Sequence, residues 1–186
     1  MTTAAVVLAA GGGSRFSARG GSCNKLLAPF MGWNVVGWSM LSAVSAKLDA
    51  TYVVVGPVDV PSIDGVRFVR NPRWFDGLSS SLAMGVTTAS RDGHSVVVVG
   101  LGDQPLIVGN AWRQVATSHG AIAVATYDGR RNYPLRLDRR VWALLPETGD
   151  AGAALLLGRR PDLVVEVPCP GHPADIDTPE DLTRWS

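Results

Sequence analysis

Arg15 and Lys25 stand beside a glycine-rich turn in a pattern that suits a polyphosphate. The turn is Gly11, Gly12 and Gly13 followed by Ser14, and it closes an apolar run over residues 4–10. Glycine removes every side chain from a ligand's approach, so the backbone N–H groups of such a turn can cradle phosphate oxygens. Arg15 and Lys25 add the cations that a polyphosphate needs. The chain has fifteen arginines but only two lysines, Lys25 and Lys47, so a compact ammonium in this loop is not a matter of composition. Two familiar glycine motifs do not fit. A P-loop requires Gly-Lys-Ser/Thr, and Gly13 is followed by Ser14 and Arg15; the dinucleotide fingerprint requires a third glycine where Phe16 stands. A surface turn without a ligand is the plain alternative.

Three further groups can carry chemistry. Asp103 lies in Gly102-Asp103-Gln104-Pro105, directly after the apolar run 96–101. A carboxylate at the end of a buried strand is placed to hold Mg²⁺ between nucleotide phosphates, although an aspartate there can also serve only the turn. Asp175 and Asp177 flank Ile176; in an extended segment residues two apart share a face, so one of them, Asp175 by preference, completes the Asp103 site. Asp177 can instead serve only the start of the following helix. Ser79, Ser80 and Ser81 begin a helix, where hydroxyls and free N–H groups can read a base or a ribose, or simply cap. Trp74 and Phe75, just before them, read as core or loop-anchoring side chains. His94, His119 and His172 have no spacing that marks a catalytic or metal-binding set.

These residues need a scaffold that presents strand ends to one crevice. Strand-like runs over 4–10, 51–55, 66–69, 95–101, 121–126 and 163–167 are mostly continuously apolar, as in a sheet covered on both faces. Helix-like segments fill the gaps at 34–48, 78–90, 110–118, 139–145 and 150–157. A last helix is marked by Thr178 as cap, Pro179 in the first turn and Asp181 in a near capping box. This alternation predicts one three-layer α/β domain over residues 1–186, with the ligand crevice at the C-terminal ends of the strands. A net charge of +1 gives no global field toward nucleic acid or a membrane surface. Cys23 and Cys169 are too few for a disulfide framework, and no segment approaches the roughly 18 uninterrupted apolar residues of a membrane span. The expectation is a cytoplasmic protein that binds neither nucleic acid nor membrane.

Taken together, the blocks 8–13 with Arg15 and Lys25, 77–82 with Gly85, 102–106, 149–153 and 175–182 resemble the molybdenum-cofactor nucleotidyltransferases, and most of all the molybdopterin cytidylyltransferase branch. The resemblance implies a Rossmann-like nucleotidyltransferase fold with a mostly parallel mixed sheet. It also implies a Mg²⁺-dependent transfer of a nucleoside monophosphate, CMP from CTP, to a phosphorylated acceptor such as molybdopterin, with release of pyrophosphate. Matched by position, Leu8, Ala9, Ala10, Gly11, Gly12, Gly13, Ser14, Arg15 and Lys25 would hold the nucleotide, with Arg15 and Lys25 the catalytic cations. Ser79, Ser80 and above all Ser81 would lie by the base, and Asp103, Asp175 and Asp177 would serve the metal. The chain departs from the branch at several points. The loop 16–24 is lengthened and starts with Phe16 in place of methionine. Ala151, Gly152, Ala153 and Ala154 replace basic residues, and Asn132 replaces a histidine, which leaves the acceptor open.

Three other functions are weighed. One is a nucleotide-binding homologue without transferase activity, acting as a sensor or as a partner of a molybdoenzyme or its maturation factor. An isoprenoid-pathway cytidylyltransferase would require an arginine where Leu78 stands. A nicotinamide-dependent oxidoreductase lacks its glycine fingerprint.

Overall fold

A computed structural model of the chain describes residues 2–21 and 23–186, the Arg15 side chain excepted. The strands are β1 (Thr3–Ala9), β2 (Pro29–Phe30), β3 (Trp33–Asn34), β4 (Ala50–Val55), β5 (Arg67–Arg70), β6 (Val96–Leu101), β7 (Ile122–Tyr127), β8 (Arg130–Asp138) and β9 (Val164–Pro168). The helices are α1 (Ser14–Ala18), α2 (Val35–Ser45), α3 (Leu78–Arg91), α4 (Gly109–Thr117), α5 (Ala154–Arg159) and α6 (Pro179–Trp185). Seven strands form one sheet in the order β5-β4-β1-β6-β8-β7-β9, and β8 alone runs antiparallel to its neighbours. The pair β2 and β3 makes a separate hairpin.

Alternation along β1 explains the layers, because successive side chains point to opposite faces. Ala5, Val7 and Ala9 pack with Val36 and Met40 of α2 and Trp112 of α4, while Ala4, Val6 and Leu8 pack with Leu82 and Val86 of α3 and Leu156 of α5. The two faces are thus covered by different helices, giving the expected mostly parallel α/β/α arrangement. Helix α3 sits close to the sheet because Gly85 has no side chain: a Cβ there would lie 2.5 Å from Val6. A third cluster, Phe16, Ala28, Phe30, Val35 and Ile176, anchors the lysine-bearing loop and the segment before α6 at the strand-end side.

Several expectations are corrected. The sequence reading has no strand over 130–138, because Pro134 and three arginines interrupt the apolar pattern. The fold accommodates Pro134 at an irregularity in the ladder: Leu135 pairs Val124, but Asn132 already pairs Ala125, so Tyr133 and Pro134 fall between ladder positions. The edge strand β9 is not covered on both faces, with Val165 40% exposed. The segment expected as a helix over 139–145 is a 3₁₀ helix, Arg139–Leu144, and α5 begins only at Ala154. Gly149 and Gly152, with φ of 90° and 51°, hold the preceding stretch out of helical geometry.

Candidate functional site

The crevice at the strand ends is a cavity of about 510 Å³. Leu8 to Ser14 line it, together with Lys25, Ser81, Asp103, Asp175 and Asp177. The N–H groups of Gly11, Gly12 and Gly13 donate to no acceptor among the described residues, so this turn keeps three donors for a ligand. A Cβ on Gly11 would meet nothing within 4 Å, as expected of a turn that faces open space. The Arg15 side chain, assigned to the triphosphate, lies outside the described residues.

Lys25 reaches this turn because the lengthened loop folds back. Helix α1 takes up its first residues, and Asn24 then closes it: its Nδ2 donates to the Gly12 carbonyl at 3.0 Å, and its Oδ1 accepts the Leu26 N–H at 3.0 Å. The second bond caps the 3₁₀ helix Lys25–Leu27, and buried Leu26 fixes it to the core. The Lys25 ammonium then donates to Asp103 Oδ2 at 2.6 Å and to Asp177 Oδ1 at 2.7 Å. With only 14% of its side chain exposed, Lys25 is not the exposed loop cation that its sequence setting suggests. Burial by itself would lower the ammonium's pKa, but the two carboxylates outweigh it and hold it above the ordinary lysine value.

The carboxylates come from two elements. Asp103 follows β6, where Gly102 allows close approach to β1: a Cβ on Gly102 would lie 2.9 Å from that of Ala9. Its carbonyl accepts the Ile176 N–H at 2.9 Å, which ties the segment 175–177 alongside. The capping box of α6 fixes the other end, with Asp181 Oδ2 accepting from the N–H groups of Thr178 at 2.8 Å and Asp177 at 3.1 Å. Ile176 is fully buried, and Asp175 and Asp177 on either side both face the cavity. They differ in partner. Asp177 shares Lys25 with Asp103, whereas Asp175 Oδ1 accepts from Gln104 Nε2 at 2.9 Å. Burial, reinforced by the Asp103 charge, pushes the Asp175 carboxyl up to about 6, against the pull of Gln104 and Lys25.

Gln104 is a site residue that sequence reasoning passed over. It is 2% exposed, and the same Nε2 also donates to Asn132 Oδ1 on β8 at 2.9 Å. That oxygen accepts the Tyr133 N–H too, which fixes the amide orientations. Its position directly after Asp103 was the available signal.

The serine run divides. Ser81 lines the cavity and accepts from Asn71 Nδ2 at 3.0 Å. Ser79 and Ser80 do not line it. The Ser80 hydroxyl donates to the Gly77 carbonyl at 2.8 Å, and Ser79 Oγ accepts the Gly152 N–H at 3.2 Å. Ser79 binds the start of α3 to the loop 149–152, its N–H also donating to the Gly149 carbonyl at 2.9 Å, while Ser80 ties it to the preceding turn; the close contact explains the small residues there, since a Cβ on Gly77 would lie 2.5 Å from the Gly149 carbonyl carbon. The aromatic pair is corrected as well. Phe75 is 70% exposed, and both rings line the cavity, edge to face at 6.2 Å. Trp74 lies over the glycine turn, 3.2 Å from where a Cβ of Gly12 would stand. None of the three histidines lines the cavity.

Among the described residues no three His, Cys, Asp or Glu side chains gather closely enough to hold a metal ion between them. The oxygen donors that do converge are Asp103 and Asp177, on one cationic atom. Among the same residues no helix is long and apolar enough to cross a membrane.

Comparison with known proteins accords with this geometry. The model of the MobA-like NTP transferase domain matches residues 5–163, and the chain belongs to that family. A solved structure of a nucleotidyl transferase from Methanothermobacter thermautotroptrophicus superposes with a TM-score of 0.81 at 24% identity, over 98% of this chain and 95% of that one. A crystal structure of Rv0371c from Mycobacterium tuberculosis H37Rv superposes at 0.80 with 26% identity, over 99% and 97%. The complex of Rv0371c with manganese gives 0.76 at 26% identity, over 100% and 97%. A comparison with curated protein sequences finds no match.

Proposed function

We propose that this member of the MobA-like NTP transferase family is a Mg²⁺-dependent cytidylyltransferase that moves CMP from CTP to a phosphorylated acceptor, molybdopterin, in the cytoplasm. The observation that carries the reading is the convergence of Lys25, Asp103 and Asp177 beside a glycine turn with three open N–H donors. Hard carboxylate oxygens already placed 2.6 and 2.7 Å from one cationic atom fit a divalent cation. The manganese in the similar Rv0371c supports a divalent ion here.

The triphosphate rests on the N–H groups of Gly11, Gly12 and Gly13, with Arg15 and Lys25 countering its charge. Asp103 and Asp177, rather than the expected Asp175, would hold the metal, because those two already share one cation while Asp175 turns to Gln104; the metal would supply charge neutralisation at the phosphates. An oxygen of the acceptor phosphate, already anionic near neutral pH, forms a bond to the α-phosphorus. The bond from that phosphorus to the β-phosphate bridging oxygen breaks, and pyrophosphate leaves with the electron pair. Alignment and charge compensation dominate, so no strong base is required. Ser81, with its hydroxyl hydrogen uncommitted among the described residues, reads the base.

The test is competition. CTP should displace a fluorescent nucleotide more effectively than GTP, and pyrophosphate release should require molybdopterin. Clearly tighter GTP binding reverses the base assignment, and activity with simple sugar phosphates alone overturns the acceptor. Tight CTP binding without pyrophosphate release for any acceptor returns the chain to a binding role beside a molybdoenzyme or maturation factor.

A further inference from the structure

Lys25 occupies the place that its own proposed chemistry assigns to something else. Its ammonium has three N–H donors, and two of them are spent on Asp103 and Asp177 at 2.6 and 2.7 Å. These are the two carboxylates whose oxygens converge on one cation. An ammonium and a divalent ion cannot both sit between them. Meanwhile the glycine turn that would take phosphate oxygens lies directly alongside, tied to the lysine loop through the bond from Asn24 to the Gly12 carbonyl at 3.0 Å. The backbone of Lys25 is fixed, held by the Asn24 cap and by buried Leu26, while its four-carbon side chain can turn between the carboxylates and the turn.

We propose that Lys25 is an internal counter-ion that exchanges partners: it offsets part of the charge of Asp103 and Asp177 in the empty site and moves to the nucleotide phosphates when a divalent cation takes those carboxylates. The inference rests on the transferase reading for the identity of the phosphates, but its test does not depend on catalysis. Exchange has a thermodynamic consequence. A divalent cation binding alone must break two charge-assisted hydrogen bonds and leave an ammonium close to a dication, which opposes binding. When nucleotide is present, the released ammonium finds phosphate, and that opposition disappears. Lys25 therefore couples metal to nucleotide, and by linkage the coupling acts equally in both directions. The device keeps a carboxylate pair partly compensated in the empty site and favours arrival of the metal with its nucleotide.

The composition offers a direct readout, because Lys25 and Lys47 are the only lysines. Lys47 is exposed and away from the cavity, so it serves as an internal control for amine acetylation followed by peptide mass spectrometry. In the wild-type protein Lys25 should label slowly without metal, severalfold faster with saturating Mg²⁺ alone, and slowly again with Mg²⁺ and CTP. In parallel, Lys25→Met should bind Mn²⁺ about tenfold more tightly than wild type in the absence of nucleotide, a change within the ordinary range of coupling between sites. Its gain in Mn²⁺ affinity on adding CTP should be smaller than that of wild type. Unchanged Lys25 labelling under saturating Mg²⁺, or Mn²⁺ affinity in Lys25→Met equal to or weaker than wild type, overturns the proposal. Failure of the transferase reading looks different: the labelling cycle would persist while no acceptor yields pyrophosphate.

Discussion

Replacing Asp103 by asparagine separates charge from shape at the centre of the cleft. The amide keeps an oxygen facing Lys25 and leaves the backbone carbonyl that accepts from Ile176 untouched. What disappears is a negative charge. The bond of 2.6 Å between side chains that are 14% and 20% exposed changes from an ion pair to an ammonium–amide hydrogen bond, a loss of about 1 kcal/mol. In the other direction, the Asp103 charge helps push the Asp175 carboxyl up to about 6, and removing it relieves that repulsion. The opposing effects leave a net change in stability of about 1 kcal/mol or less, equivalent to a Tm shift of about 2–4 °C for a chain of this size. Turnover should fall about 100- to 1,000-fold, the cost of removing one preorganised electrostatic contact from a transition state rich in charge. The assays are coupled pyrophosphate release, thermal melting and NMR titration of Asp175, whose carboxyl should titrate lower than in the wild type once the Asp103 charge is gone. Full Mg²⁺-dependent turnover in Asp103→Asn would refute the placement of the metal at the end of β6.

Lys25→Ala should lower stability by about 1 kcal/mol in urea titrations, because it removes the cation shared by Asp103 and Asp177, whose side chains are 20% and 38% exposed; an unchanged midpoint would mean that the ion pairs contribute nothing in solution. Gln104→Leu should raise the Asp175 pKa further in an NMR titration, because the hydrogen bond from Gln104 favours the carboxylate; an unchanged or lower value would sink that assignment. The raised Asp175 pKa has a definite sign. The folded protein binds this proton more readily than the unfolded chain, so the group's contribution to stability grows as pH falls from about 6 toward 3.8 and is lost as pH rises through about 6. Asp175→Asn should therefore flatten the stability profile of the ligand-free protein across that window, and an identical profile would contradict it.

The layers of this fold are written in residues 4–10, 51–55 and 95–101, where nearly continuous apolar runs need cover on both sides and leave little choice of architecture. Strand β8 was hidden because its stability comes from pairing on both sides and from a ladder irregularity at Tyr133 and Pro134, a tertiary solution to a local misfit. At the site, the glycine turn and Asp103 are visible as chemistry at a strand end. The pairing of Lys25 with Asp103 and Asp177 spans up to 152 residues of sequence and has no local signature. Phe75 shows the opposite failure: an aromatic beside a tryptophan suggests a core, yet it stands at the cleft, 70% exposed. Ser79, Ser80 and Ser81 are identical in type, and only the helical rotation and the contact with Gly149 and Gly152 decide which one faces the cavity.

Transfer of a nucleotidyl group in this cleft is tested most directly by product analysis. Wild-type protein with CTP, Mg²⁺ and molybdopterin should release one pyrophosphate per acceptor consumed and yield an acceptor heavier by one cytidylyl group. Under the same conditions Asp103→Asn should give almost none. Pyrophosphate release without a cytidylylated acceptor, or equal yields from wild type and Asp103→Asn, would contradict the account.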